Sequence, residues 1–304
     1  MKITLGDIVF GCGSDGGAGG GGGSVSSTHP LPNGIKFVGS TWETFDCGKY
    51  DWSQIYDASG MFSFCLNLKQ IDNFPKNEIN GCVDMFERCT ALESIPNGIN
   101  LKPYYTIENM FKDCTSLTEI PYFDTSKVYS FYQAWQGCSS LTEFPQIDAS
   151  KVTDFRYAWD NCKVLTTFPQ LDLSSGTNFN SAWSNCSSLT EFPQLDLSSG
   201  TNFNFAWSNC YKLASLPVLD LSAGTNFYLT WNYCNSLTTL GGFGAIKESI
   251  DLQHSTKLTV ESIMNVINQA ATVTGKTMTL GSDNLAKLTD EQKAVATSKG
   301  WTLA

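Results

Sequence analysis

Residues 182–203 read AWSNCSSLTEFPQLDLSSGTNF, and residues 206–227, AWSNCYKLASLPVLDLSAGTNF, repeat them with few changes. Outward from this pair the same unit recurs in weaker form. Cys65, Cys89, Cys114, Cys138, Cys162, Cys186, Cys210 and Cys234 stand 24 residues apart, except for one interval of 25 between Cys89 and Cys114. A fixed period of this length marks a supersecondary unit that cannot bury its apolar face alone and must stack on its neighbours. The chain is therefore an array of turns, not a core wrapped once.

Each unit can be read from its Cys. Three residues before it comes an aromatic, Phe62, Phe86 and Phe111 at first and then Trp135, Trp159, Trp183, Trp207 and Trp231. Three residues after it stands Leu, from Leu68 to Leu237, and six after it a further apolar residue such as Ile120, Phe144, Phe168 or Phe192. These positions form the core. Across QLDL, Leu171 and Leu173 share one face and Gln170 and Asp172 the other, the alternation of a half-buried strand, so the parallel strand is expected here. Pro145, Pro169, Pro193 and Pro217 precede it, where a missing N–H costs a ladder least. Asn161, Asn185 and Asn209 before the Cys, and SSGTN after the strand, supply the turns.

The segments MFSFC, MFERC, MFKDC, CTSLTEIPYFDTSKV and CSSLTEFPQIDASKV resemble the repeat of BspA-like leucine-rich-repeat surface proteins, over about residues 61–240. The later turns depart from it by placing AW where the family has MF, and by inserting Pro. The resemblance implies an α/β fold, a leucine-rich-repeat solenoid with a parallel β-sheet, turns of about 24 residues and a helical C-terminal cap. Proteins of this kind also occur among virion proteins of gut phages.

Five segments follow. Residues 1–10 alternate enough (Ile3, Leu5, Ile8, Phe10) for an N-terminal anchoring strand, and residues 11–27 are a Gly-rich linker without a phosphate-loop signature. Residues 28–60 carry Trp42, Phe45, Tyr50 and Trp52 and read as an N-terminal cap over the open end of the array. Residues 61–245 are the solenoid. Residues 246–304 are strand-helix repeats and a cap, with strands at SIDL, TMTL and WTL. One helix follows Thr259 as N-cap, with Ile263, Val266, Ile267 and Ala270 on one face. A second follows Thr289, with acids in its first turn and Gly300 at its end.

Composition narrows the function. With 19 Lys+Arg against 29 Asp+Glu the net charge is -10, which argues against a nucleic-acid partner, since phosphate binding needs clustered cations. No 18-residue apolar run exists to enter a membrane, and MKITLGDIVF does not read as a signal peptide. The eight periodic Cys stack too far apart for relaxed disulfides, so they are expected as reduced, buried, small hydrophobes. His29 and His254 are far apart and no CxxC is present, so zinc has no support.

Asp124, Asp148, Asp172, Asp196 and Asp220 fall in one row, but equivalent carboxylates at ladder spacing are a product of repetition and lack the split environments of a catalytic pair. Calcium on this row would call for a glycine-bracketed acidic loop, which is absent. No catalytic residue, metal ligand or cofactor-binding residue is therefore assigned. The ligand-facing ribbon consists of Gln146, Asp148, Gln170, Asp172, Gln194, Asp196 and Asp220. The expectation is a non-enzymatic binding or structural protein in a virion, as a tail or fibre adhesin. It would join other virion or cell-surface proteins through the N-terminal strand and meet a host glycan or protein receptor. A bacterial cell-surface adhesin and a polysaccharide depolymerase are the alternatives.

Overall fold

In the computed structural model the described residues are 2–5, 8–11, 30–96 and 99–304; the linker beyond Gly11 and His29 lie outside them. The turn around Cys186 shows how the unit is made. Phe179, Ser181, Trp183 and Asn185 donate their N–H groups to Asn202, Asn204, Ala206 and Ser208 of the next turn, at 2.8–2.9 Å. The residues between them fold back on their own turn, Ala182 N–H to Phe179 O at 3.0 Å and Cys186 N–H to Trp183 O at 3.2 Å. Alternate amides thus serve alternate directions, which satisfies a backbone buried on one side.

This geometry needs two left-handed residues per turn. Ser181 (φ 54°) and Asn185 (φ 60°) occupy the third positions of the two tight turns, where φ > 0 is required. Asn161 and Asn209 do the same, at φ 63° and 60°. At the earlier position the residues are Tyr157, Ser181, Phe205 and Leu229, which have no intrinsic taste for this region. There the stacked hydrogen bonds impose the conformation.

The aromatic positions run through the stack as rows. Trp159, Trp183 and Trp207 lie nearly parallel with centroids 5.6 and 5.3 Å apart, and Phe62, Phe86 and Phe111 continue the pattern at 5.6 and 5.5 Å. Phe168 and Phe192 meet the indoles edge-on, at 4.8 Å from Trp159 and 4.9 Å from Trp183. A second row, Phe155, Phe179, Phe203 and Phe227, stacks at 5.1–5.7 Å. Such pairs contribute about 0.5–1.5 kcal/mol each beyond area burial. Gly176, Gly200 and Gly224 lie against this second row, where a Cβ would sit 2.2–2.3 Å from the Cζ of the Phe three residues on. They are glycine for packing, since none has a positive φ.

The chain is mixed α/β with few helices and short parallel strands. β3 (Thr44–Asp46) pairs in parallel with β4 (Gln70–Asp72), β5 (Tyr105–Thr106) with β6 (Val128–Ser130), and β7 (Ser215–Leu216) with β8 (Thr239–Leu240). From β6 the ladder continues as single bridges, Ser130 to Asp154 to Asn178 to Asn202 to Asn226, and a separate bridge joins Glu191 to β7 at Ser215. The strand expected across QLDL is not formed. Its alternation is real, with Leu171 and Leu173 buried and Gln170 and Asp172 exposed, but these segments are not strands. Pro169 cannot donate to a ladder, and the Gln side chains bridge the turns instead.

At the N-terminus a single strand is the expectation, whereas β1 (Lys2–Leu5) and β2 (Ile8–Gly11) pair antiparallel. Gly6-Asp7 between them is a two-residue hairpin signal. Residues 30–60 close the first turn with rings: Phe45 stacks on Tyr50 at 5.4 Å, Phe37 stacks on Phe62 at 5.7 Å, and the Trp52 indole donates to Cys47 O at 2.8 Å.

At the other end β9 (Ile250–Asp251), α1 (Val260–Gln269), β10 (Lys276–Thr279), α2 (Gly281–Leu285), α3 (Asp290–Ser298) and β11 (Trp301–Leu303) give a separate three-stranded parallel sheet, order β11-β10-β9. Thr259 caps α1 through Ser262 N–H, and Thr289 caps α3 in a full capping box with Gln292. α2, five residues long, has no side-chain cap at Leu280 and so carries no start signal in the sequence. Lys299 reaches back to the end of α1, donating from Nζ to Ile267 O, Asn268 O and Ala270 O at 3.0, 2.6 and 3.0 Å. A cation there satisfies the carbonyls a helix leaves open.

Candidate functional site

The ribbon residues do fall in rows, and their polar groups are engaged within the chain. The Gln146 amide donates to Gln170 O at 2.5 Å, Gln170 donates likewise to Gln194 O, and Gln194 to Val218 O. Each amide supplies a rung between turns beside a proline. The Asp residues serve turns: Asp148, Asp172 and Asp196 accept from both the N–H and the hydroxyl of the Ser two residues on, while Asp220 accepts from Ser222 N–H at 3.0 Å. The serine bonds, the side-chain bond first, hold the carboxyls of Asp196 and Asp124 below the usual carboxylate range. Exposed as it is, the ribbon spends these groups on holding turns together.

The thiols have a similar role. Ten described cysteines are free and buried. From Cys65 to Cys234 each periodic thiol donates to the carbonyl of the aromatic in the preceding turn, Cys186 to Trp159 O at 3.2 Å and Cys210 to Trp183 O at 3.2 Å among them. Burial pushes Cys82 and Cys234 up to about 12 and the thiols of Cys114, Cys138, Cys162, Cys186 and Cys210 well above their ordinary range. Protonated thiols of this kind are inert. Among the described residues no group of three or more His, Cys, Asp or Glu is placed to hold a metal ion, and no helix is long and apolar enough to cross a membrane.

A polar cleft of about 310 Å³ opens beside the Cys rows, between Asp113, Gln136, Asn161 and Lys163. Gly137 creates it, since a Cβ there would stand 2.4 Å from Asp113 Oδ1. Asp160, buried next to it, accepts from Gln136 Nε2 and Asn185 Nδ2 at 2.9 Å each. These bonds continue to Asn209, which donates to Asn185 Oδ1 at 3.0 Å, and in the lining itself the Thr115 and Ser139 hydroxyls donate to Thr90 O and Thr115 O while Asp113 faces Arg88 Nε at 3.5 Å.

Sequence reasoning missed the tyrosines of the irregular turn. Tyr104 N–H reaches back to Asn80 O at 3.2 Å, while Tyr105 N–H reaches forward to Lys127 O at 3.1 Å. The ladder slips register between Tyr105 and Thr106, and Tyr105 takes φ 73°. Tyr105 stands opposite Val128 and Thr106 opposite Ser130, so Tyr129 is left between paired positions. Tyr104, Tyr105 and Tyr129 are 50%, 60% and 47% exposed, in contrast to the buried Phe and Trp rows. Tyr104 and Tyr105 meet edge-on at 4.1 Å, Tyr129 lies 6.2 Å from Tyr105, and Lys127 Nζ stands 5.7 Å from the Tyr104 ring centroid. Lys102 pairs with Glu78 at 2.8 Å nearby, and both Lys102 and Lys127 act on Asp124. The only sequence signal was the interval of 25.

A family model described as Mycoplasma protein of unknown function, DUF285, matches residues 36–144 and 100–194. This match accords with the BspA-like leucine-rich-repeat family that the repeat resembles. Among solved structures, a leucine-rich repeat protein from Bacteroides ovatus ATCC 8483 is similar at 14% identity and a TM-score of 0.29, covering 86% of this chain and 83% of its own. No curated protein matches.

Proposed function

Because the chain belongs to the DUF285 family, whose matches together extend over more than half of it, we propose that it is a non-enzymatic binding and structural protein displayed on a surface. The observation that carries this reading is the division of labour in the repeat. Thiols, carboxylates and amides that chemistry would recruit are committed to holding turns together, which leaves the outer face of the stacked turns as the working surface. Such a face suits recognition of a host glycan or protein receptor.

Two placements follow. The virion, as part of a tail or fibre, is supported by the short N-terminal hairpin ahead of the glycine tract, a form suited to anchoring in an assembly. The bacterial cell surface is supported by the family match, whose description is of a bacterial protein. Mass spectrometry of purified phage particles and of the host envelope fraction distinguishes them. The virion reading expects peptides from residues 41–49 and 265–276 at fixed stoichiometry in particles. Recovery in the envelope fraction alone would replace it with the bacterial adhesin, and recovery only in soluble fractions would end both.

A further inference from the structure

We propose that the Tyr104, Tyr105 and Tyr129 platform binds a pyranose ring of a surface polysaccharide. This deepens the binding reading above and rests on it. Three observations converge on the same few residues. The repeat keeps its period everywhere between Cys65 and Cys234 except in the turn that holds Tyr104 and Tyr105. In that turn the pairing of β5 with β6 slips register, with Tyr105 opposite Val128 and Thr106 opposite Ser130, so that Tyr129 falls between the paired positions, next to a tyrosine held at φ 73°, where a bulky residue is strained. What the irregular turn presents is three exposed tyrosines in a run of ring contacts, Tyr104 on Tyr105 and Tyr105 on Tyr129, on a surface that also exposes Tyr56, Tyr122 and Tyr228. Strain maintained to expose a ring is the pattern of a site, since an alternative residue would relieve it.

The surroundings select the ligand. Lys127 stands beside the Tyr104 ring and interacts with Glu78 and Asp124, while Lys102 pairs with Glu78, so both signs of charge lie about the lysine that borders the rings. That balance suits a polyhydroxyl ligand, in which each hydroxyl gives one bond and takes another. The C–H face of a pyranose would lie on the tyrosine faces while its hydroxyls meet the charged rim. A nucleic acid would meet carboxylates beside the lysines in an acidic chain, and a purely apolar partner would leave Lys127 without a polar contact on the ligand.

The test uses the full-length protein on an array of pyranose oligosaccharides comprising hexoses, deoxyhexoses and N-acetylhexosamines, followed by calorimetric titration with any sugar that binds. Tyr105→Gly removes the ring and suits φ 73°, so its Tm is expected to be unchanged or raised. Tyr129→Ala removes the second ring, and Gln170→Ala alters the ribbon instead. The proposal expects affinity to fall roughly tenfold or more in each tyrosine variant, a loss of the size that stacking interactions carry, and to persist in Gln170→Ala. Undiminished sugar binding by Tyr105→Gly would overturn this site and leave the binding reading standing. Binding to intact envelopes with no sugar bound on the array would overturn the carbohydrate assignment and indicate a protein receptor. A wild-type chain that binds neither would overturn both.

Discussion

The thiol of Cys186 donates to the carbonyl of Trp159, 27 residues earlier, at 3.2 Å, and the same carbonyl accepts the N–H of Cys162 at 3.1 Å. One small side chain therefore fills a core position and joins two turns. Cys186→Val keeps the apolar volume and loses the donor, and Cys186→Ala loses both. Destabilisations of about 1 and about 2 kcal/mol respectively are expected from chemical denaturation, with Cys186→Ser between wild type and Ala.

The indole N–H groups of Trp135, Trp159, Trp183, Trp207 and Trp231 are buried without a hydrogen-bond partner. An unpaired buried donor costs about 1–3 kcal/mol, which offsets part of what the larger ring contributes. Trp183→Phe, the residue type found at this position in the early turns, is therefore expected to cost no more than about 1 kcal/mol in urea unfolding, while Trp183→Ala costs about 3–5 kcal/mol.

Alkaline stability follows from the buried thiols. A thiol whose pKa rises on folding favours the folded state fully below its unfolded value near 9, and that contribution is lost as pH climbs towards the folded value. For Cys82 and Cys234 the window runs from about 9 to about 12. Thermal scans should give a steep fall in Tm above pH 9, with thiol-reactive dye labelling the ten buried cysteines only in step with unfolding. A Tm unchanged up to pH 11 would contradict the buried, protonated arrangement.

Lys299 ties the last helix to the end of α1 through three carbonyls. Lys299→Met retains the stem and removes the charge, leaving those carbonyls to water. A loss of about 1–2 kcal/mol is expected. Hydrogen exchange should quicken in residues 266–270 and in α3, and remain as in wild type around Cys186.

The period made much of this legible. Cys, Trp, Leu and Phe recur because stacking puts identical residues in identical environments, and Thr259 and Thr289 carried their capping signals openly. QLDL misled because alternation reports burial alone. Leu171 and Leu173 are buried as a strand would bury them, yet the inter-turn bonds come from Gln side chains. Asn185 announced its left-handed turn, whereas Phe205 and Leu229 could not, since the stack imposes their φ. The tyrosine platform was visible only as one interval of 25. Where an added residue makes the ladder slip, and which rings lie at the slip, depends on register with the neighbouring turns.

The central claim is binding without turnover, and co-sedimentation of the full-length chain with bacterial envelopes tests it most directly when the released reducing sugar is measured in the same tubes. Saturable sedimentation with no reducing ends above the protein-free control is the predicted result. Progressive release of reducing ends that Asp172→Asn abolishes, with the fold intact, would contradict it and make the carboxylate row catalytic.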